Sequence, residues 1–374
     1  MKNHHNQHIA KRLKNFDSSA ISSAFSAGEK IKNPIDLSIG FPEDPTAKSI
    51  KNAAVKAINQ NFTRYTSSNG IIELRSAIAK KLKSENGLRV NESTVSVVPG
   101  LTTGVLMCYL ALLDPGDEIL LPDPYFPPYK DLAALVGAKP VLINTFPDFQ
   151  LTAEKIKPYI TPRSKVLIIN SPNNPTGAVY PRQELEKIAK LAKQHSLIII
   201  SDEIYEYFAY DTKHFSIGSI YPKTLTLNGF SKAYAMTGWR IGYIAGPLGI
   251  IKTINELLQY AVFSTNSISQ KAALAALQTK TNGITKKYHE KRDLTLHLYG
   301  KNFKVEGAQG AFYTFVKLPK GITDLKFVEL TAKKGVIILP GRAFSSRTNY
   351  VRIAYCNNYH QLIRGIEIIN KLVG

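Results

Sequence analysis

The chain has 374 residues, of which 44% are hydrophobic and 20% are charged. These values are typical of a globular protein, and the length suffices for a large core and two domains. No stretch is long and apolar enough to span a membrane, and the basic N-terminus lacks the apolar region of a secretory signal. The composition therefore excludes a membrane-spanning or secreted protein and predicts a cytoplasmic one.

The formal net charge is +20, with lysines spread along the chain rather than gathered in one stripe. Nucleic acid as partner is one interpretation, but the even spread favours a solvated surface or attraction of small anions.

Cys108 and Cys356 lie far apart in apolar surroundings, which favours buried thiols in a reducing compartment over a disulfide. The sequence contains no metal-binding motif, so we expect no metal site.

Strand and helix patterns alternate between about residues 95 and 246. Amphipathic patterns predict helices over 101–113, 128–138 and 181–195. Short runs rich in Ile, Val and Leu predict strands, namely "VSVVPG", "DEILLPD", "SKVLIIN", "LIIISDE", "TLTLNGF" and "WRIGYIAG". This alternation predicts an α/β protein with a mostly parallel sheet covered on both faces.

After about residue 265 the pattern changes. We expect a long helical stretch to about His297, then strands of a second, smaller sheet in "GAFYTFVKLP", "GVIILPG" and "NYVRIAYC", and a closing helix in "YHQLIRGIEIINKLV". The predicted organisation is an N-terminal arm with a small-domain segment (1–40), a large domain (41–265) and a small C-terminal domain (266–374).

Polar residues follow the predicted strands. The loop "PGLTTG" opens a helix, which suits a phosphate, although ordinary capping explains it as well. The turn "SPNNPTG" is rigid and can aim Asn174 into a crevice. Asp202 ends an apolar strand, with Tyr205 three residues on. A buried carboxylate needs a partner, and a helix cap is the alternative interpretation of Asp202.

Lys232 follows the next strand, and Arg240 lies eight residues beyond it. A lysine in a partly apolar, cation-rich pocket has a lowered pKa and becomes a nucleophile, whereas a salt-bridged lysine is structural. In an open parallel sheet, ligands bind at the carboxyl ends of the strands. A phosphate cradle, a carboxylate, a phenol, an amide and a reactive lysine at one sheet edge are what pyridoxal phosphate requires.

The motifs "NSPNNPTG", "SDEIYE", "SKAYAMTGWRIG" and "VRIAY" occur in this order. With them the chain, from "DLSIG" onward, resembles the class I and II aminotransferases, which are pyridoxal-phosphate enzymes of fold type I. The resemblance implies a mostly parallel central sheet covered by helices, with a smaller α+β domain, and a homodimer with active sites at its interface.

The resemblance also implies roles for individual residues. Lys232 would carry the cofactor, Asp202 would pair with its pyridine nitrogen, and Tyr205 and Asn174 would hydrogen-bond its ring oxygen. Arg352 would bind the substrate carboxylate, with the backbone of Gly40 closing over it. The remaining implied contacts are the phosphate ligands Thr102, Thr103, Ser231 and Arg240, the stacking Phe126, and Tyr65 from the second subunit. Core packing of Phe126, a surface position of Arg352 and a local turn at Tyr65 are the alternatives.

Two departures from the family pattern matter. Gly229 stands three residues before the lysine, where the family often has serine, so one phosphate hydroxyl is missing. The loop "GLTTG" lacks the lysine of some dicarboxylate-preferring relatives, which weakens the case for aspartate. Arg342 is a weak candidate for recognising the substrate side chain.

We therefore expect an aminotransferase that transfers the amino group of an L-amino acid to a 2-oxo acid by a ping-pong mechanism. The amino acid would be of the aromatic, methionine, alanine or aspartate type. A C–S lyase or a cyclopropane-carboxylate synthase would share the fold and cofactor. An effector-type regulator is the non-enzyme alternative, but about 35 residues precede the family match, too few for a DNA-binding module. Membrane and nucleic-acid partners are not expected.

Overall fold

The structure is a computed structural model that describes residues 10, 12–13, 31–281 and 283–373. Most of the predicted N-terminal arm lies outside the described residues. The strands are β1 (Ile35–Asp36), β2 (Val95–Val98), β3 (Glu118–Asp123), β4 (Lys139–Asn144), β5 (Ser164–Asn170), β6 (Ile198–Asp202), β7 (Thr224–Gly229), β8 (Gly242–Ala245), β9 (Tyr313–Lys317), β10 (Val336–Ile337), β11 (Leu339–Pro340) and β12 (Tyr350–Ala354). The α-helices are α1 (Lys48–Asn59), α2 (Ile72–Asn86), α3 (Leu101–Leu112), α4 (Pro127–Leu135), α5 (Ala153–Ile156), α6 (Arg182–Gln194), α7 (Leu248–Ala261), α8 (Ser267–Ala276), α9 (Ile284–Tyr299), α10 (Asp324–Lys333) and α11 (Tyr359–Asn370).

Seven strands form the central sheet in the order β2-β8-β7-β6-β5-β3-β4. Only the pairings that involve β8 are antiparallel within this sheet. Along β5, Val166 and Ile168 belong to one apolar core, and Leu167 and Ile169 belong to another. Since successive side chains of a strand point to opposite faces, the sheet is buried on both sides, as its apolar runs predict.

The smaller part of the structure differs from the prediction of one small sheet. Strand β1 pairs in parallel with β10, and a separate three-stranded sheet has the order β11-β12-β9. The predicted single strand "GVIILPG" is therefore wrong, because Ile338 separates two short strands that pair in different sheets. The pairing of β1 with β10 joins the N-terminal segment to the C-terminal part of the chain.

Three other expectations on secondary structure need correction. The long helix expected after residue 265 is divided into α8 and α9, since Gly283 caps α9 with a left-handed φ of 87°. Strand β4 was not predicted, because it lies at the edge of the sheet and is only partly buried. Helices α1, α2, α5, α7 and α10 were also not predicted.

Several chain segments meet at one end of the sheet, where its parallel strands terminate. Strands β2, β3, β5, β6 and β7 run in the same direction, so their carboxyl ends meet there. Because β8 runs in the opposite direction, it begins at this end of the sheet, two residues after Arg240. The polar residues that follow these strands are thereby brought together.

Candidate active site

A cavity of about 370 Å³ lies at the carboxyl ends of the parallel strands of the central sheet. All the predicted site residues except Thr103, Tyr65 and the side-chain candidate Arg342 line it. They are Gly40, Thr102, Phe126, Asn174, Asp202, Tyr205, Ser231, Lys232, Arg240 and Arg352. The cavity is also lined by residues that the sequence did not single out, among them Ser38, Ile39, Tyr129, Asn170, Tyr313, Leu339 and Phe344.

Lys232 lies three residues beyond the end of β7 and directs its amine into the cavity. Its Nζ donates a hydrogen bond to the backbone oxygen of Gly40, at 2.6 Å, and lies 5.8 Å from the ring centroids of Tyr205 and Phe312. Burial lowers the pKa of Lys232 from 10.5 to about 8, and the nearby Arg352 acts in the same direction. The amine is therefore more readily neutral, and more nucleophilic, than a surface lysine.

Asp202 is the last residue of β6 and is 5% exposed. The hydroxyl of Tyr129 donates to its Oδ2 at 2.7 Å, and the backbone N–H of Ile204 donates to its Oδ1 at 3.1 Å. Burial raises the pKa of Asp202 to about 6, and the hydrogen bond from Tyr129 opposes this rise. A cationic ring nitrogen beside the carboxylate would lower this pKa again, so the site favours a positively charged partner.

The N-terminus of α3 and Arg240 form a positively charged end of the cavity. Gly100 precedes α3 with a φ of 83°, and a Cβ at this position would lie 2.4 Å from an Nη of Arg240. The glycine therefore lets the guanidinium approach the first helical N–H groups, next to Thr102. Backbone N–H groups and a cation at a helix N-terminus suit a phosphate group.

The departure at Gly229 has a structural reason. Gly229 lies opposite Gly242 in the pairing of β7 with β8, and a Cβ there would lie 3.0 Å from the Cα of Gly242. A side chain at this position would push the two strands apart. The cavity retains Ser231, two residues further on, as a hydroxyl near Lys232.

The rigid turn after β5 orients Asn174. The side-chain oxygen of Asn170 accepts a hydrogen bond from the backbone N–H of Asn174, and its amide donates to the backbone oxygen of Asp202. The side-chain oxygen of Asn173 accepts from both the N–H and the hydroxyl of Thr176. Hydrogen bonds from asparagine side chains to nearby backbone fix such turns, so the amide of Asn174 is held at the cavity.

Arg352 belongs to β12, is buried and lines the cavity. One Nη donates to the side-chain oxygen of Asn174 at 3.0 Å, and the other donates to the backbone oxygen of Ser38. Its Nε is buried and has no hydrogen-bond partner in the described part of the chain. An arginine with a free, buried donor is suited to receive a carboxylate.

Three candidates lie elsewhere. The hydroxyl of Thr103 donates to the backbone oxygen of Pro99 at 3.3 Å, which is a local helix-start contact. Tyr65 is 79% exposed, and its ring centroid lies 4.5 Å from that of Phe263. Arg342 forms an ion pair with the fully buried Asp324 at 2.7 Å, so its cation stabilises the fold rather than lining the cavity.

A buried charged cluster lies beside the segment that carries Asp202 and Tyr205. Glu203, Glu206 and His214 each offer one potential metal-ligand atom, and these atoms lie within 4.8 Å of one another, a spacing that a metal ion could bridge. The ammonium of Lys81 already forms an ion pair with Glu206 and donates to Asn86, whose amide donates to both carboxylates. The cluster therefore has its cation in Lys81.

The residues of the cavity fit pyridoxal phosphate. A weakly basic amine, a buried carboxylate with neutral donors as partners, and a positively charged helix end correspond to the aldehyde, ring nitrogen and phosphate of this cofactor. Lys232, Asp202 and Arg240 are the residues that would hold these three groups.

Comparison with known proteins agrees with the geometry. Residues 32–367 match the family "Aminotransferase class I and II". The chain is 35% identical to aromatic-amino-acid aminotransferase 2 of Thermococcus litoralis, over 98% of each protein. It is 37% identical to the aspartate/prephenate aminotransferase of Thermus thermophilus, over 91% of each.

Solved structures show the same similarity. The aspartate aminotransferase from Thermus thermophilus with maleate superposes with a TM-score of 0.94 at 34% identity, covering 98% of this chain and all of that one. The aromatic aminotransferase from Pyrococcus horikoshii gives a TM-score of 0.88 at 37% identity, covering 93% and 98%. The chain is thus a member of the class I and II aminotransferases, a fold type I enzyme that uses pyridoxal phosphate to transfer an amino group from an amino acid to a 2-oxo acid.

Proposed function

We propose that Lys232 is the residue that carries the cofactor and moves the proton of the transamination. The observation that supports this most directly is the position of Lys232 in a cavity that it shares with Asp202, Arg240 and Arg352, where burial lowers its pKa. Pyridoxal phosphate, when bound, supplies an electron sink for the electrons of the substrate α-carbon. The Nζ of Lys232, as the neutral amine, accepts the proton from that carbon.

The other residues hold the reactants in place. Asp202 keeps a positive charge on the ring nitrogen, and Tyr205 and Asn174 bind the ring oxygen. Arg240, Ser231, Thr102 and the start of α3 bind the phosphate, while Phe126 packs against the ring. In this assignment Thr103 contributes at most its backbone, since its hydroxyl is engaged with Pro99.

Arg352 would bind the substrate carboxylate through its free Nε and an Nη, in the cavity that it shares with Lys232. Fixing the carboxylate there orients the substrate, and the orientation decides which bond at the α-carbon breaks. The neighbouring wall of the cavity is apolar and contains Ile39, Leu339 and Phe344. Among the described lining residues, the cations Lys232, Arg240 and Arg352 all have a role already.

We propose on these grounds that the amino donor has an apolar or aromatic side chain rather than a second carboxylate. The loop after β2 supplies Leu101 and Thr102 to the cavity, and no cation. The relative from Thermococcus litoralis is named for aromatic amino acids, whereas that from Thermus thermophilus is named for aspartate and prephenate.

Half-reaction spectroscopy tests this proposal. The purified protein is loaded with pyridoxal phosphate and mixed with L-phenylalanine, L-tyrosine, L-methionine, L-alanine or L-aspartate, without an oxo acid. Loss of the cofactor chromophore should be fastest with the aromatic and methionine donors. Faster conversion by L-aspartate would overturn the assignment of the side-chain wall. Borohydride reduction followed by peptide mapping should place the cofactor on Lys232, and a label on another lysine would overturn that role.

We also propose a cytoplasmic homodimer in which Tyr65 contacts the cofactor of the partner subunit. Tyr65 and Phe263 form an aromatic pair that is exposed on the surface of the described residues. No helix of the described residues has the length and apolar character needed to cross a bilayer. We further propose the division into residues 1–40, 41–265 and 266–374, and the pairing of β1 with β10 supports grouping the N-terminal segment with the C-terminal domain.

A further inference from the structure

Tyr313, the first residue of β9, contacts two residues of the proposed site. It is 2% exposed and lines the cavity, although no motif of the sequence singled it out. Its hydroxyl oxygen lies 2.9 Å from the hydroxyl oxygen of Tyr205. Its ring centroid lies 4.5 Å from the guanidinium carbon of Arg352. One side chain therefore contacts both the phenol assigned to the cofactor and the arginine assigned to the substrate.

The hydroxyl of Tyr313 is tightly enclosed. A Cβ built on Gly40 would lie 1.7 Å from it, so the backbone of Gly40 packs directly against this oxygen. The same glycine accepts a hydrogen bond from Lys232 through its backbone oxygen. The position of Tyr313 is thus fixed by β9 on one side and by the segment at Gly40 on the other.

The hydrogen bond between the two tyrosines has a direction that the proposed function determines. Each phenol carries one proton, and either oxygen can be the donor in this pair. If the hydroxyl of Tyr205 donates its hydrogen bond to the ring oxygen of the cofactor, the hydroxyl of Tyr313 must be the donor in the bond between the two tyrosines. A hydroxyl that accepts a hydrogen bond becomes a stronger donor itself.

We propose that Tyr313 is a positioning residue with two separable effects. Its hydroxyl donates to Tyr205 and thereby strengthens the hydrogen bond from Tyr205 to the cofactor oxygen. Its ring packs against the guanidinium of Arg352, which also lies 4.6 Å from the ring of Phe344, and keeps the guanidinium oriented for the carboxylate. This inference rests on the cofactor-binding role proposed for Tyr205.

Two substitutions separate the effects. Tyr313→Phe removes the hydroxyl and keeps the ring over Arg352. Without the donor, the anionic form of the cofactor oxygen is less stabilised, so the pH midpoint of the bound cofactor's absorbance should rise by about 0.3 unit. The KM for the amino acid should stay within about twofold, because the ring still covers Arg352. Tyr313→Leu also removes the ring and should raise that KM about fivefold.

Tyr299→Phe is the matched control. Tyr299 is 1% exposed, and its hydroxyl lies 2.9 Å from that of Thr314, the residue that follows Tyr313 in β9. It is outside the cavity lining, so its variant loses a buried hydroxyl without touching the site. Its cofactor midpoint should equal that of the wild type.

The experiment is an absorbance titration of the three loaded variants and the wild type, with KM measured alongside. An unchanged midpoint in Tyr313→Phe, or an equal shift in Tyr299→Phe, overturns the inference while leaving the proposed function intact. An unchanged KM in Tyr313→Leu overturns the role assigned to the ring. Failure of the wild type to form a chromophore with pyridoxal phosphate overturns the proposed function and, with it, this inference.

Discussion

Replacing Lys232 by methionine should stabilise the cofactor-free protein while abolishing transamination. The active site holds this ammonium in a buried position, where burial lowers its pKa from 10.5 to about 8. The protonated form is therefore less stable in the folded protein than in the unfolded chain. Methionine has a similar length and carries no charge, so the variant avoids this penalty.

The magnitude follows from the pKa shift. A change from 10.5 to about 8 corresponds to about 3 kcal/mol of free energy of unfolding at neutral pH. Lys232 is partly exposed to the open cavity, and it donates a hydrogen bond to Gly40 that methionine cannot make. Loss of that hydrogen bond costs the variant about 1 kcal/mol of stability. The partial exposure of Lys232 also makes its desolvation penalty smaller than that of a fully buried lysine. We expect a net stabilisation of about 1.5 kcal/mol.

The effect should depend on pH in a defined direction. Since the pKa of Lys232 is lower in the folded state, the unfolded chain binds more protons between about pH 8 and pH 10.5, and wild-type stability rises with pH in that window. Below about pH 8 the full penalty is present. The advantage of Lys232→Met should therefore be largest near neutral pH and shrink as the pH approaches 10.5.

Urea unfolding of the cofactor-free proteins, followed by circular dichroism, measures this difference. For a chain of this length the midpoint should rise by about 0.5 M at pH 7 and by less at about pH 10. Lys81→Met is the control, because Lys81 is buried and paired with Glu206, and breaking that pair should destabilise the protein by about 3 kcal/mol. A Lys232→Met protein that is less stable than the wild type at pH 7, or a difference that is constant with pH, would refute the reasoning.

Three further changes test the other parts of the site. Asp202→Asn retains one of the two acceptor oxygens that Tyr129 and Ile204 use but loses the charge, so the half-reaction should slow at least tenfold, and a smaller loss in stopped-flow absorbance would contradict its role. Arg352→Leu should raise the KM for the amino acid about 100-fold, while equilibrium dialysis shows unchanged cofactor affinity; a collapse of cofactor binding instead would disprove the assignment. Gly40→Ala places a Cβ 1.7 Å from the hydroxyl of Tyr313 and should lower both the melting temperature and the turnover. In the last case Tyr313→Ala, added as a second substitution, should lower the melting temperature by less than the sum of the two single losses, and a purely additive loss would speak against the predicted clash.

The sequence alone was sufficient for six of the seven strands of the central sheet and for most of the predicted residues that line the cavity. The apolar runs of β5, β6 and β7 predict buried parallel strands, and Asp202 and Lys232 are conspicuous because each interrupts or follows such a run. A charged residue at the end of a buried strand has few structural explanations, so its chemistry can be inferred from local pattern. The order of the motifs then led to the family.

Contacts between distant parts of the chain were decided only by the tertiary structure. Tyr129 and Asp202 are 73 residues apart, Tyr205 and Tyr313 are 108 apart, and Asn174 and Arg352 are 178 apart. A tyrosine in an apolar strand or helix has the same local pattern whether its hydroxyl meets a carboxylate, a phenol or a backbone oxygen. The partner is set by which strands and helices pack together, and β10 and β11 likewise separate into two sheets because of their neighbours. Periodicity reports which face of an element is buried, whereas packing alone determines what that face touches.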